Sequence, residues 1–269
     1  MRYEMMFPDQ IRKAIAESWP VVMAAGVLEY HAEHCAVGVD TLLVVRALEE
    51  IEKEMDLVVM PPFYYGAASY VVAPPEQNGT VHVDSDAIHV FAKALFRGLL
   101  RVGFRNVHVF IHHQSENFVA GMPTDLALKL AARQAVFERL EQERGESWWG
   151  DNRMADYYSG HATGDNPFNW IQFHPFMDEA AQKSYPIDHA GKQETSLMMA
   201  FCPDGVDMRK FSDKQWFCRE TEQATEEYGN AARRLILQSM LDILAPHAPA
   251  ADSKPGASPA RRSSKSRRS

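Results

Sequence analysis

The chain has 269 residues, of which 46% are hydrophobic and 24% charged, the balance of a folded domain and too apolar for a disordered one. Three scattered cysteines, Cys35, Cys202 and Cys218, exclude a disulfide framework and a C-x-x-C site, and point to a reducing, cytoplasmic setting. The last 25 residues carry six Lys/Arg and one Asp, a net +5 that leaves −13 on the remainder of a chain whose total is −8, so the folded part is not expected to bind nucleic acid.

The opening stretch, MRYEMMFPDQIRKAIAES, lacks the apolar core of a signal peptide. No window approaches the ~18 uninterrupted apolar residues of a membrane span. IRKAIAESW has helical spacing behind Pro8. PVVMAAG reads as a short buried strand that runs into a polar stretch, EYHAEHCAVGVD, residues 29–40. DTLLVVRALEEIEKE is an amphipathic helix with Asp40 at its N-cap. MDLVVMPP is a buried strand stopped by Pro61 and Pro62, and FYYGAASYVVAPPEQNGTVHV is a long loop region. DSDAIHVFAKALFRGLLRVG is a helix with a Ser/Asp start and a Gly stop. NVHVFIHHQSEN is a strand ending in a second polar cluster, and a helix follows from about Asp125 to Arg144.

This alternation of strand and helix predicts a parallel-rich sheet with helices on its faces. Ligands in such sheets bind beyond the carboxyl ends of the strands. Both polar clusters directly follow a strand, so they are expected to meet although more than seventy residues separate them. The second half is less regular. ESWWGDNRMADYYSGHATGDNPFNWIQFHPF is aromatic and without a period, which suits a lid or an interface segment, with Trp148, Trp149, Trp170 and Phe173 as the bulky elements. HAGKQETSLMMAF passes into an apolar, strand-like run, with LMMAF as core. TEQATEEYGNAARRLILQSMLDILA is the last helix. Residues 1–246 are expected to form one domain and 247–269 a disordered basic tail, either a solvated extension or a weak electrostatic contact for RNA or membrane.

The first cluster offers hard oxygen ligands, Glu29 and Asp40, beside imidazoles of His31 and His34, a mixture suited to Zn, Mn or Fe. Glu29 and His31, two residues apart on an extended segment, point to one side. The competing reading is a polar loop in which Asp40 only caps a helix. The second cluster supplies His112, His113, Gln114, Glu116 and Asn117. The third, DHAGKQETS, supplies Asp188, His189 and Glu194, with His189 a candidate general acid/base.

Taken together, these motifs resemble the creatininase (creatinine amidohydrolase) family. Its first stretch reads approximately G-x-x-E-x-H-G-x-H-L-P-x-x-x-D, and this chain keeps Gly26, Glu29, His31, His34 and Asp40 at that spacing, with Ala32 in place of Gly and Ala36 in place of Pro. The middle motif N-G-H-x-E-N aligns without gaps on HHQSEN. The late motif H-A-G-x-x-E-T-S is matched by His189, Ala190, Gly191, Glu194, Thr195 and Ser196, and a G-T pair by Gly79 and Thr80.

The resemblance implies a three-layer α/β/α sandwich with a mostly parallel central sheet, two divalent ions (Zn and/or Mn, with Fe as a further option) and a small-molecule substrate. It implies that Asp40 bridges the ions, that Glu29 binds one and His31 the other, and that Glu116 joins His31. His189 would move the proton, and Glu194 would orient the chemistry or add a ligand. The catalytic set is therefore His189, Glu116 and Glu194. The family's middle-motif histidine falls on Gln114, a weaker neutral ligand. Three alternatives remain: His113 replaces it, Gln114 itself coordinates, or only one metal binds. Tyr185, Ser115 and Trp170 are the candidate substrate contacts; Tyr185-Pro186 stands where creatininase has Trp-Asp, which makes creatinine itself a doubtful substrate. Family members form symmetric oligomers, so a homo-oligomer, a hexamer or another even-numbered ring, is expected.

The activity expected is attack of metal-activated water on a carbonyl of a small cyclic amide or formamide. A related reading is hydrolysis of a C–C bond in a cyclic diketone such as an oxidised inositol. The non-enzymatic alternative is a metal-binding scaffold that has lost catalysis, which the Gln114 substitution favours. His34 and Cys35 read as structural, and Glu33 as outside the chemistry.

Overall fold

A computed structural model describes residues 1–162 and 166–245, with side chains 161 and 162 excepted. The expected basic tail, 247–269, lies outside the described residues. Four parallel strands form one sheet: β1 (Val21–Ala25), β2 (Val58–Val59), β3 (Val107–Ile111) and β4 (Ile171–Pro175), in the order β2-β1-β3-β4. The helices are α1 (Pro8–Ala16), α2 (Val39–Glu54), α3 (Ser85–Val102), α4 (Pro123–Arg144), α5 (Tyr157–Ala162), α6 (Glu179–Ser184), α7 (Lys192–Phe201) and α8 (Glu226–Leu244). None among the described residues is long and apolar enough to cross a membrane.

Strand periodicity divides the core. In β1, Val21, Met23 and Ala25 face one way and pack with α3 and α4, while Val22 and Ala24 face the other and pack with α2, α7 and α8. The result is the expected α/β/α sandwich. Both sheet faces are covered, which explains why β1 and β3 are buried throughout rather than alternating. The central pair aligns Val21 with Val107 and Ala25 with Ile111, so the residues after Ala25 and after Ile111 emerge side by side at one edge. This register brings the two polar clusters together.

Four details depart from the sequence reading. Gly38, not Asp40, is the N-cap of α2; Asp40 sits in the first turn, buried. LMMAF is helical, not strand-like: Leu197, Met198 and Phe201 are buried at helical spacing on α7. β2 is only two residues long. β4 lies inside the aromatic segment, hidden because its residues are only half-buried at the sheet edge, which removes the apolar signature of β1 and β3.

Helices α7 and α8 touch because residue 229 is glycine. A Cβ there would lie 1.8 Å from the Ser196 carbonyl oxygen. Gly229→Ala is expected to force the helices apart and cost about 3 kcal/mol, the upper end of ordinary overpacking; a denaturant titration against the wild type measures it.

A second device lies on the sheet itself. His108 Nε2–H donates to Asn106 Oδ1 at 2.8 Å, and His174 Nε2–H donates to His108 Nδ1 at 2.9 Å, with the two rings stacked. Burial pushes His174 down to about 4. The unfolded chain therefore takes up a proton on His174 below about 6.5 while the native state resists until about 4. Stability from this group is full above 6.5 and is lost as pH falls through that window. Melting curves should show a smaller drop between pH 6.5 and 4 in His174→Gln than in the wild type.

Candidate metal centre

Beyond the carboxyl ends of β1 and β3 the chain makes three tight turns, each with a non-glycine residue in the left-handed region: Ala32 (φ 58), Gln114 (φ 51) and Ala190 (φ 51). Gly26, at the exit of β1, makes a second kind of demand. A Cβ there would lie 2.6 Å from Thr41 Oγ1 and 2.9 Å from the Asp40 carbonyl carbon, so only glycine lets the first turn of α2 come down onto the strand end. That contact delivers Asp40 to the site. Thr80 anchors the first loop by accepting the Tyr30 N–H. His34 Nε2–H donates to Thr195 Oγ1 at 3.0 Å, which ties the same loop to α7.

Two groups of ligand-bearing side chains converge here. Glu29, Asp40 and His113 form one, and His31, Asp40 and Glu194 form the other; a third combination joins Glu29, His31 and His189. Asp40 is common to the first two, and its oxygens are divided between them. Oδ2 is 3.2 Å from His113 Nδ1, and Oδ1 is 3.6 Å from His31 Nε2. His113 Nδ1 is 3.5 Å from Glu29 Oε2, and His31 Nε2 is 3.6 Å from Glu194 Oε2. Ligands about 2.1 Å from one tetrahedral ion sit roughly 3.4 Å from each other; the spacings of 3.5 and 3.6 Å suit a shared cation better than direct hydrogen bonds, while His113 and Asp40 are also close enough to bond directly.

The donor set passes a second test of fit. His31 Nδ1–H donates to the Glu29 carbonyl at 2.9 Å, which leaves Nε2 as the lone-pair nitrogen; Nε2 is fully buried and has no hydrogen-bond partner. An orphaned buried imidazole nitrogen facing two carboxylates is the arrangement a divalent cation completes. Electrostatics agree. Burial pushes the Glu29 carboxyl up to about 7 against the pull of His113. Burial also works against the charge on His31, but Asp40 and Glu194 carry it up to about 10. Burial would raise Asp40, yet His31 and His113 hold it well below the usual carboxylate range. In the metal-free site, protons thus sit where cations would, and cation binding must displace them.

The expected residues distribute as follows. Glu29, His31, Asp40, His113 and Glu194 come together and are buried. Gln114, half-buried, lines the adjoining cavity, with its Oε1 buried and without a hydrogen-bond partner. Glu116 is exposed at the cavity mouth, and Glu194 stands beside His31 where Glu116 was expected. His113 stands within ligand spacing of Glu29 and Asp40, and the left-handed turn at Gln114 ends the strand alternation there. His189 lines the cavity, stacks on His31 at 4.3 Å, and donates from Nε2–H to the Tyr30 carbonyl.

Three expected substrate contacts lie elsewhere. Trp170 precedes β4, at the opposite end of the sheet, under the Arg105 guanidinium. Tyr185 packs against Tyr228, and its neighbours Pro186 and Ile187 line the cavity instead. Ser115 is buried and does not line the cavity. Trp148 and Phe173 are packed into the core layer of α3 and α4, and Trp149 rests on Tyr157. The cavity, about 470 Å³, is walled also by Val71, Val72 and Gln182, which the sequence reading did not single out; their loop positions carried no periodic signal. A hollow of about 540 Å³ beside His82 and Asp84 holds none of the ligand groups.

The assignment of His113 over Gln114 is checked by metal analysis. Gln114→Ala is expected to retain full metal content, whereas His113→Ala loses about one equivalent.

Comparison with known proteins converges on one family. A family model described as "Creatininase: Creatinine amidohydrolase" matches residues 4–243. Creatinine amidohydrolase of Pseudomonas putida is 24% identical over 214 residues, which cover 78% of this chain and 75% of that protein. A mutant creatininase complexed with creatine superimposes with a TM-score of 0.67 at 19% identity, covering 90% of this chain and 96% of that one. A manganese form of creatininase gives 0.66 at 18% identity over 91% of this chain and 99% of that one. A mutant creatininase of Zn-Zn type gives 0.67 at 18% identity, over 91% and 98%.

Proposed function

This chain belongs to the creatininase family, and from that premise we propose that it is a metal-dependent amidohydrolase that cleaves a C–N bond, other than a peptide bond, in a small cyclic amide or formamide. The observation that carries the reading is the divided carboxylate of Asp40, each oxygen facing a different ligand group. Glu29, Asp40 and His113 would hold one divalent ion, and His31, Asp40 and Glu194 the other. The mixed oxygen and imidazole set suits Zn or Mn, the ions of the related Zn-Zn and manganese creatininase structures. Such ions, when bound, polarise a carbonyl and acidify water.

The chain's own side chains do the rest. His189 has Nε2–H committed to the Tyr30 carbonyl, so Nδ1 is the atom left to exchange a proton. Burial holds its pKa below the usual histidine value and keeps the ring neutral at pH 7, able to accept. Val71, Val72, Pro186 and Ile187 form an apolar wall; Gln114, Gln182 and Glu116 offer hydrogen bonds to the substrate.

A second reading, hydrolysis of a C–C bond in a cyclic diketone, is favoured by one feature: among the described residues no Phe, Tyr or Trp lines the cavity, while its amides and carboxylates suit a hydroxylated ring. Metal-loaded protein assayed against creatinine, N-formyl amides and cyclic 1,3-diketones separates the two. Turnover of an amide alone supports the first, of a diketone alone the second, and of neither overturns both. The three buried free thiols suit a reducing cytoplasm. Exposed Leu126, Leu130 and Phe137 along α4 suit a contact between copies of this chain, which supports the expected homo-oligomer.

A further inference from the structure

His112 is used by neither ligand group, yet it is 2% exposed and neither ring nitrogen has a hydrogen-bond partner. It directly follows β3. Ile111 points to the α3–α4 side, so strand alternation sends His112 to the opposite face, where α7 lies. There the ring is wedged edge-on against Phe176, centroids 5.3 Å apart. Its Nε2 stops 3.2 Å from Glu194 Oε1.

Glu194 has two oxygens with different surroundings. Oε2 accepts the Ala190 N–H at 2.7 Å and faces His31 Nε2 at 3.6 Å. Oε1 faces His112. A carboxylate that coordinates through one oxygen is free to swing about its terminal torsion unless the other oxygen is held. The Ala190 N–H bonds Oε2, and the His112 ring stands at ion-pair distance from Oε1. With His113 taken as the histidine of the N-G-H pattern, His112 falls on its glycine, so this contact is a feature of the present sequence.

We propose that His112 is a positioning residue: its Nε2, at ion-pair distance from Glu194 Oε1, restrains the carboxylate that serves the His31–Asp40–Glu194 group, without coordinating an ion itself. This rests on the two-metal reading. His112 adjoins only one of the two groups, so its loss should weaken one cation and spare the other.

The test titrates metal-free full-length protein with Co(II), followed by visible absorption and by competition with a chelator. Glu29→Ala, which leaves only the second group intact, identifies the equivalent that belongs to it. His112→Ala is expected to weaken that equivalent about 10- to 100-fold, the usual effect of losing such a partner, and to leave the other unchanged. His112→Gln, whose amide reaches the position of Nε2, should recover most of the affinity and the wild-type spectrum. His112→Asn, whose amide reaches only as far as Nδ1, should not. Circular dichroism and melting temperature confirm that each variant is folded. Unchanged affinity in His112→Ala, equal weakening of both equivalents, or equal rescue by Asn and Gln overturns the proposal alone. Uptake of fewer than two equivalents by the wild type overturns the two-metal reading and the proposal with it.

Discussion

Asp40→Ala is expected to empty both ligand groups and to lower hydrolysis at least about 10³-fold, because the Lewis-acid and water-activating roles both depend on the ions. The reasoning rests on sharing. Glu29 and His113 belong to the first group, and His31 and Glu194 to the second, but Asp40 belongs to both. Its carboxylate is 2% exposed, and Gly26 fixes its position by letting α2 approach the strand end. Metal analysis should find close to no bound transition metal in Asp40→Ala and about one equivalent in Glu29→Ala or Glu194→Ala. Two equivalents retained by Asp40→Ala would sink the bridging assignment. Asp40→Asn keeps the shape but loses the charge that His31 and His113 stabilise, so it should resemble Asp40→Ala in metal content while remaining better folded.

The second large effect is kinetic. His189→Ala should lower kcat about 10²- to 10⁴-fold, the range for removing a positioned acid/base, while both metals remain. The structure supports a separation of the two readouts. His189 leans on His31 through ring stacking and is anchored by the Tyr30 carbonyl. Neither bond is required for the Asp40-centred groups to close. If metal content falls in step with kcat, His189 is a ligand, as its geometric association with Glu29 and His31 would permit. His189→Gln, which can still donate to Tyr30, should preserve the loop but not the proton transfer.

What could be read in advance follows the physics of each signal. Helices α2, α3, α4 and α8 were legible because amphipathic spacing is a local property, and the parallel sheet followed from the alternation of elements. β4 was not legible: an edge strand shares its burial with solvent, and its aromatic neighbours gave no period. The run at 197–201 misled because five apolar residues in a row fit a buried strand or a buried helix equally well; only packing against α8 decides. At the site, Glu29, His31 and Asp40 were visible through spacing and through the motif. His113 and Glu194 were named only as options, because their place beside Asp40 and His31 depends on left-handed turns at Gln114 and Ala190, non-glycine residues that no composition rule announces. Trp170 was misplaced because a parallel strand has two ends, and only the pairing of Ile171 with Val107 shows at which end it lies.

The threading of the centre also sets an order of events during synthesis. Glu29, Asp40 and His113 are all present once β3 has been made, and the pairing of β1 with β3 is enough to align their backbone. The other group waits for α7, because its glutamate lies just before Thr195, which is 161 residues beyond its loop partner His34. A chain emerging from the N-terminus can therefore assemble one ligand set well before the other exists. The two halves of the centre have different birthdays, and the later half is the one whose closure also locks the first loop to the last helical layer.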